Sequence, residues 1–351
     1  MNAEIELRTF TDYATDQEVR WCPGCGDYAI LKAMQKTLAG LQAAPEKTVF
    51  VSGIGCSSRF PYYMATYGFH TIHGRAPAVA TGIKLANPDL DVWIITGDGD
   101  GLSIGANHLF HLLRRNLDVQ ILLFNNEIYG LTKGQYSPTS RTGLVTPSTP
   151  MGSVDNPACP SVFALGCGAS FIARGLDTQV KAMEVLFKRA RAHRGAAFVE
   201  IFQNCIVYND ETFADFGDKK VAAERQLNLQ HGAPMLFGAN RDRGLVFNQK
   251  TFALEVAVLG EAGVSESDIL VHDETSRNLS SLLLAMRRED MPVPMGVVYA
   301  ARDQPCFNEA IAAQSSHYPP GSEARSFDER LAEIDALLRN NQVWTVDEKP
   351  A

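Results

Sequence analysis

The chain has 351 residues, 45% apolar and 21% charged, with 40 acidic against 32 basic side chains and a net charge of −8. That length suffices for two ordinary domains or for one α/β domain with an appendage, and the apolar share for a well-buried core. An acidic balance without a basic stripe leaves no footprint for nucleic acid, and no apolar run reaches membrane-spanning length. The opening MNAEIELRTFTDYATDQE lacks the basic start, apolar core and cleavage site of a secretory signal, so a soluble cytoplasmic protein is expected.

Residues 28–41 predict a helix, because Ile30, Leu31, Met34, Leu38 and Leu41 recur at three- and four-residue steps. Residues 48–51 read as a short strand and 76–86 as a helix closed by Asn87-Pro88. Residues 92–96 (VWIIT) form a buried strand that runs directly into Gly97-Asp98-Gly99. A helix over 105–115 and a strand over 119–124 (VQILLF) follow, the strand ending at Asn125-Asn126. From about 125 to 160 the chain is rich in Gly, Pro, Ser and Thr, which in a loop of that length points to function or flexibility rather than core. A strand at 170–173, a helix at 178–192 and a strand at 197–202 complete a doubly wound, parallel α/β unit. Beyond Tyr208 the pattern weakens. Residues 250–302 hold two strand or helix pieces, one of them MGVVYA at 295–300; 330–338 predict a helix and 342–346 a strand. The expected organisation is a cofactor-binding domain over 1–209 and a C-terminal extension over 210–351.

The most specific signal lies at the two strand ends in 92–126. In a doubly wound sheet ligands sit outside the carboxyl ends of the strands, so adjacent ends can aim Asp98 and Asn126 at one point. Glycines beside Asp98 let backbone approach a diphosphate, and the following helix offers free N–H groups. Magnesium takes hard oxygen ligands, which Asp98, the amide oxygen of Asn126 and a nearby backbone carbonyl supply. A lone Gly-Asp-Gly is a common turn and Asn-Asn a common loop start. Their spacing by one helix–strand unit gives the pair its meaning and resembles the thiamine-diphosphate signature.

Seven cysteines without a secretory signal disfavour a disulfide framework. Cys22 and Cys25 form a CxxC pair before the first helix; Cys56 follows the first strand and Cys205 the strand at 197–202. Both strand ends fall on the sheet edge assigned to the diphosphate. Four thiolates there suit either a Cys₄ iron–sulfur cluster or a structural zinc. Two widely separated single ligands and a neighbouring thiamine site favour iron, which can take electrons released on the thiamine. Cys159, Cys167 and Cys306 have no partner spacing and read as buried or incidental thiols.

The segments CPGCG, SGIGCSS, HGRAPAVATGIKLANP, GDGD, NNEIYGLTKGQYSPTS and NCxxYN, spread over about 21–209, resemble the β subunit of the 2-oxoacid:ferredoxin oxidoreductases. The resemblance implies a thiamine-diphosphate-binding fold that holds thiamine pyrophosphate, Mg²⁺ and one 4Fe–4S cluster. Cys22, Cys25, Cys56 and Cys205 would ligate the cluster; Asp98, Asn126 and the carbonyl of Ile128 would bind magnesium. Gly99, Asp100, Gly130 and Leu131 would line the diphosphate, and Ile54, Gly55, Cys56, Ser57 and His73 would touch or neighbour the thiamine. Members of this family decarboxylate a 2-oxoacid oxidatively, form an acyl-CoA and pass electrons to ferredoxin.

Only about 47 residues precede the first core strand, too few for the domain whose carboxylate activates the aminopyrimidine. No C-x₂-C-x₂-C run holds further clusters. The family solution is a separate α subunit with that carboxylate and the substrate and CoA sites, in an (αβ)₂ assembly. Lys133, in LTKGQ, would meet the distal carboxylate of 2-oxoglutarate, since a buried unpaired charge discriminates strongly between substrates. Pyruvate or broad 2-oxoacid specificity is the alternative. So is a non-redox thiamine-dependent decarboxylase or carboligase with zinc at the cysteines, or a non-catalytic interaction subunit. The reaction direction stays open to reductive carboxylation.

Overall fold

The computed structural model describes residues 7–302, 304–315 and 326–339; the strand expected at 342–346 lies outside them. Residues 1–308 and 309–351 form two compact units.

The first unit is organised by a sheet whose strands are β1 (Thr48–Ser52), β2 (Tyr67–His70), β3 (Asp91–Gly97), β4 (Gln120–Asn125), β5 (Phe171–Leu176), β6 (Ala197–Phe202), β7 (Gln226–Asn228) and β11 (Val293–Ala300). Their spatial order is β2-β1-β3-β4-β6-β5-β11-β7. The strands from β2 through β5 in that order pair in parallel. At the far edge β11 runs antiparallel to β5, with β7 parallel to β11, so the sheet is mixed rather than wholly parallel. Two strands from beyond residue 209 thus extend the sheet begun by the N-terminal part. A smaller antiparallel sheet, order β10-β9-β8, uses β8 (Leu236–Phe237), β9 (Arg243–Asn248) and β10 (Ala253–Val258).

Continuous apolar strands arise because both faces of the sheet are covered. Side chains alternate between two cores. Phe50, Trp93, Ile95, Leu122 and Phe124 pack toward α1 (Asp27–Leu41) and α6 (Val180–Ala192), where Ile30, Met34, Leu38, Met183 and Phe187 meet them. Val49, Val51, Ile94, Ile121 and Leu123 face the other core with residues of α2 (Ala76–Ala86), α4 (Ala106–Arg115) and α5 (Pro160–Gly166). A short helix, α3 (Asp98–Leu102), starts where β3 ends. The edge strand β2 is exposed along its whole length, so its sequence carries neither an apolar run nor an alternation and predicts no strand. The second unit contains the helix Phe327–Arg339, which starts where Ser326 Oγ accepts from Glu329 N and Glu329 Oε2 from Ser326 N, a reciprocal cap.

His193 terminates α6, with its ring against Phe171 and Nε2 bonded to Ser170 Oγ at 2.7 Å. Burial pushes its pKa down to about 4, with Asp118 opposing and Arg189 adding. The unfolded ring takes its proton near pH 6.5, whereas the folded one resists until about pH 4. The folded state therefore loses stability as pH falls through that window. Urea denaturation midpoints should drop between pH 6.5 and 4, and His193→Gln should remove that part of the slope.

Candidate functional site

Four strands adjacent in space, β1, β3, β4 and β6, end at the same sheet edge. The loops that follow them carry Ile54–Ser57, Asp98–Asp100, Asn126–Leu131 and Gln203–Cys205. Ile54, Gly55, Cys56, Ser57, His73, Asp98, Gly99, Asp100, Asn126, Ile128, Gly130 and Leu131 line one cavity of about 120 Å³ there, with Asp27, Tyr129 and Gln203. Every residue that the sequence assigned to magnesium or thiamine contact is on its wall. Lys133 is not: it is exposed, in a turn with φ of +77°.

Asp98 is 3% exposed, and its Oδ2 accepts from Ser137 Oγ at 2.6 Å and Thr139 Oγ1 at 2.5 Å. Burial pushes its pKa up to about 6; the two hydroxyls oppose the shift. A divalent cation would compensate such a desolvated carboxylate. On the next strand end, Asn126 donates through Nδ2 to Gln203 Oε1 at 2.9 Å, while its Oδ1 accepts from Ile128 N at 3.2 Å. Asn209 Nδ2 holds the Asn126 carbonyl at 2.9 Å. Between Asn126 and Ile128, Glu127 adopts φ of +55° and pairs with Arg141 at 3.1 Å and Arg288 at 3.3 Å. Arg288 comes from the C-terminal third, which thus braces the loop.

Asp100 organises the opposite wall. Its Oδ1 accepts from Ile54 N at 3.0 Å and Gly74 N at 2.7 Å and contacts His73 Nδ1; its Oδ2 accepts from Thr96 Oγ1 at 2.8 Å. One buried carboxylate ties the β1 loop and the His73 loop to β3. Gly99 has no room for a side chain, since a Cβ would lie 2.2 Å from the Tyr129 ring, whose hydroxyl donates to Gly99 O at 3.0 Å.

The cysteines gather beside this cavity. A Cβ on Gly130 would meet Cys205 Sγ at 3.3 Å and Cys56 Sγ at 3.7 Å, so two thiols abut the loop that carries Asn126. Cys25 N donates to Cys22 O at 3.0 Å, closing the CxxC turn, and Trp21 Nε1 anchors the Cys56 carbonyl at 2.7 Å. Burial, and then the charge of Asp27, raise the Cys25 thiol pKa and push Cys56 up to about 12. Both are therefore protonated at neutral pH, and any metal they held would have to displace the protons. Among the described residues no three His, Cys, Asp or Glu close to single-ion spacing.

A larger cavity, about 410 Å³, lies beside Asn125 and Phe202. Its charged walls are already matched, with Arg174 bonded to Glu200 at 3.0 Å and Arg288 to Glu127. The smaller cavity is the one with unmet polar demand. Ser57 Oγ and both Asp27 oxygens are buried without a hydrogen-bond partner among the described residues. Burial pushes Asp27 up to about 7, with Asp177 adding and the Cys25 thiol opposing.

Residues 53–201 match the family described as thiamine pyrophosphate enzyme, C-terminal TPP binding domain. The chain is 48% identical over 342 residues to the 2-oxoglutarate oxidoreductase subunit KorB of Mycobacterium tuberculosis, covering 96% of this chain and 88% of that one. It is 48% identical over 209 residues to 2-oxoacid:ferredoxin oxidoreductase 1, subunit beta, of Aeropyrum pernix, covering 60% and 66%. A solved structure of 2-oxoglutarate:ferredoxin oxidoreductase from Magnetococcus marinus, with 2-oxoglutarate, coenzyme A and succinyl-CoA bound, matches with TM-score 0.72 at 31% identity, covering 94% of this chain and 97% of that one. The chain belongs to the β subunits of the 2-oxoacid:ferredoxin oxidoreductases.

This β subunit carries the thiamine pyrophosphate-binding domain of an oxidoreductase. Its glycine-lined cavity and orphaned Ser57 and Asp27 fit a polar cofactor. Sequence reasoning missed Asp27, Ser137, Thr139, Gln203 and Arg288. Ser137 and Thr139 stand in the SPTS segment of the long loop, where clustered hydroxyls were the available signal; Arg288 had none. Gly99→Ala should displace Tyr129 and weaken thiamine pyrophosphate binding at least about tenfold at unchanged far-UV circular dichroism, measured by titration calorimetry.

Proposed function

We propose that this β subunit holds the charged end of thiamine pyrophosphate and the electron outlet of a 2-oxoglutarate:ferredoxin oxidoreductase. Asp98, Asn126 Oδ1 and the Ile128 carbonyl hold Mg²⁺, and Gly99, Asp100, Gly130 and Leu131 line the diphosphate. Ile54, Gly55, Cys56, Ser57 and His73 border the thiamine, while Cys22, Cys25, Cys56 and Cys205 ligate one 4Fe–4S cluster. The observation that carries this reading is the packing of Cys56 and Cys205 against Gly130 of the magnesium loop, which leaves no intervening layer between the two cofactor sites.

When bound, thiamine pyrophosphate would supply the carbon centre for 2-oxoacid decarboxylation, and a cluster held by Cys22, Cys25, Cys56 and Cys205 would supply one-electron redox chemistry. The chain's own residues do the holding. Ser137 and Thr139 fix the carboxylate of Asp98, and Asp100 keeps the Ile54 and His73 loops closed on the cavity. An α subunit adds the activating carboxylate and the substrate and CoA sites, in an (αβ)₂ cytoplasmic enzyme that reduces ferredoxin or runs as a reductive carboxylase. Residues 1–209 serve the cofactors, and 210–351 cover the site or meet the partner. Support for the latter is the helix Phe327–Arg339, where Leu331, Ile334 and Leu338 lie exposed on one face. Among the described residues no helix is long and apolar enough to cross a membrane.

The 2-oxoglutarate preference is supported by the 48% identical M. tuberculosis 2-oxoglutarate oxidoreductase subunit and by the M. marinus structure, which holds 2-oxoglutarate. Lys133, exposed beside Leu131 and Thr132 of the cavity rim, would meet the distal carboxylate once the α subunit covers it.

Anaerobic co-purification with the α subunit should yield iron and acid-labile sulfide in equal amounts, and turnover with 2-oxoglutarate and CoA. A colourless, zinc-loaded protein would sink the cluster assignment and with it the electron-outlet role. In the same complex Lys133→Ala should lower kcat/KM for 2-oxoglutarate at least about tenfold while sparing pyruvate. An unchanged value removes Lys133 from substrate recognition.

A further inference from the structure

Gln203 follows β6, 1% exposed, and its backbone N–H and both polar atoms of its side chain are bonded. Its backbone N–H donates to Asn125 O at 2.8 Å. Its side-chain Nε2 donates to Asn204 O at 2.7 Å and to Cys25 Sγ at 3.2 Å, and Oε1 accepts from Asn126 Nδ2 at 2.9 Å.

The order of these bonds sets a direction. A backbone carbonyl only accepts, so Asn204 O fixes the Gln203 amide with its nitrogen on that side and its oxygen toward Asn126. That oxygen in turn accepts only the NH₂ of Asn126. Asn126 is left with its oxygen on the opposite side, where it accepts from Ile128 N at 3.2 Å and keeps a lone pair for a hard cation, so the Gln203 bond and the Ile128 N–H select the same orientation. The second hydrogen of Nε2 is free for Cys25, where an N–H draws negative charge from a thiolate. Reduction adds one electron to a cluster, so a donor at its sulfur favours the reduced form and raises the potential.

We propose that Gln203 is a positioning residue for both cofactor sites: one buried amide sets the Asn126 oxygen toward the cation and donates to the cluster ligand Cys25. This inference rests on the magnesium and cluster assignments above. It identifies a physical tie between them that neither motif contains, because Asn126 and Cys25 lie 101 positions apart in sequence and this one side chain bonds both.

The test uses the anaerobic αβ complex. Gln203→Met, similar in length but without donor or acceptor, should weaken Mg²⁺-dependent thiamine pyrophosphate binding by roughly tenfold or more. It should also move the cluster midpoint potential, read by EPR-monitored redox titration, to more negative values. Adding Asn126→Asp should restore most of the lost affinity, because a carboxylate offers oxygen in either orientation, while the potential stays low. Should Gln203→Met fail to fold, Gln203→Asn, one methylene too short to span both partners, should give the same two shifts. A Gln203 variant that loses stability while keeping the wild-type affinity and potential would mark a merely structural residue and overturn the inference. Wild-type complex without iron and sulfide would instead defeat the cluster assignment and, with it, the Cys25 half of the tie.

Discussion

Parallel pairing of β1, β3, β4 and β6 is the constraint from which the chemistry of this β subunit derives. Parallel strands point their carboxyl ends the same way, so loops far apart in sequence are delivered to one edge at the spacing of the sheet. Residues near positions 55, 98, 126 and 204 meet there without any loop reaching across the molecule. The pairing is enforced by two buried faces. Phe50, Trp93, Leu122 and Phe124 on one side and Val51, Ile94, Ile121 and Leu123 on the other would both be lost to a one-residue slip.

Concentrating polar groups at that edge has an electrostatic cost, and the loops around it are built to contain that cost. Asp98 is held against desolvation by two hydroxyls from the long loop after β4, and Asp100 by two backbone N–H groups, a threonine and His73. Glu127 sits between Arg141 and Arg288. Arg288 and the strands β7 and β11 make the region beyond residue 209 part of the site's support, whatever else it contacts. Asp27 and Ser57 remain unmet, as groups do where the missing partner is a ligand.

The closeness of the thiols to the cavity follows from the same geometry. Gly130 has only hydrogen where any other residue would press on Cys56 and Cys205, so the loop after β4 and these two thiols share a wall. Gln203 closes the gap from the other side. An amide bonded at both ends cannot turn toward one partner without leaving the other, so Gln203 holds Asn126 and Cys25 in a fixed relation.

Much of this was legible in the sequence. The helix end at Asn87-Pro88, the buried strands read at 92–96, 119–124 and 197–202, and the Gly-Asp-Gly and Asn-Asn turns are local signals of propensity, periodicity and backbone freedom, and the strands form within a residue of those bounds. Asp98 and Asn126 could be placed together in advance because strand ends in a doubly wound sheet have one shared destination, whereas Ile54, Gly55, Ser57, His73, Gly130 and Leu131 came from the family resemblance. What the sequence could not carry is pairing between residues remote along the chain. Exposed β2 has no apolar pattern, the antiparallel turn of β11 depends on which edge remains open, and nothing near Arg288 marks Glu127 as its partner. Asp27 and Gln203 read as an ordinary first-turn aspartate and a polar residue after a strand. Only the tertiary structure buries one without a partner and hangs the other between Asn126 and Cys25, because burial and hydrogen-bond direction are properties of the packed neighbourhood and not of the residue.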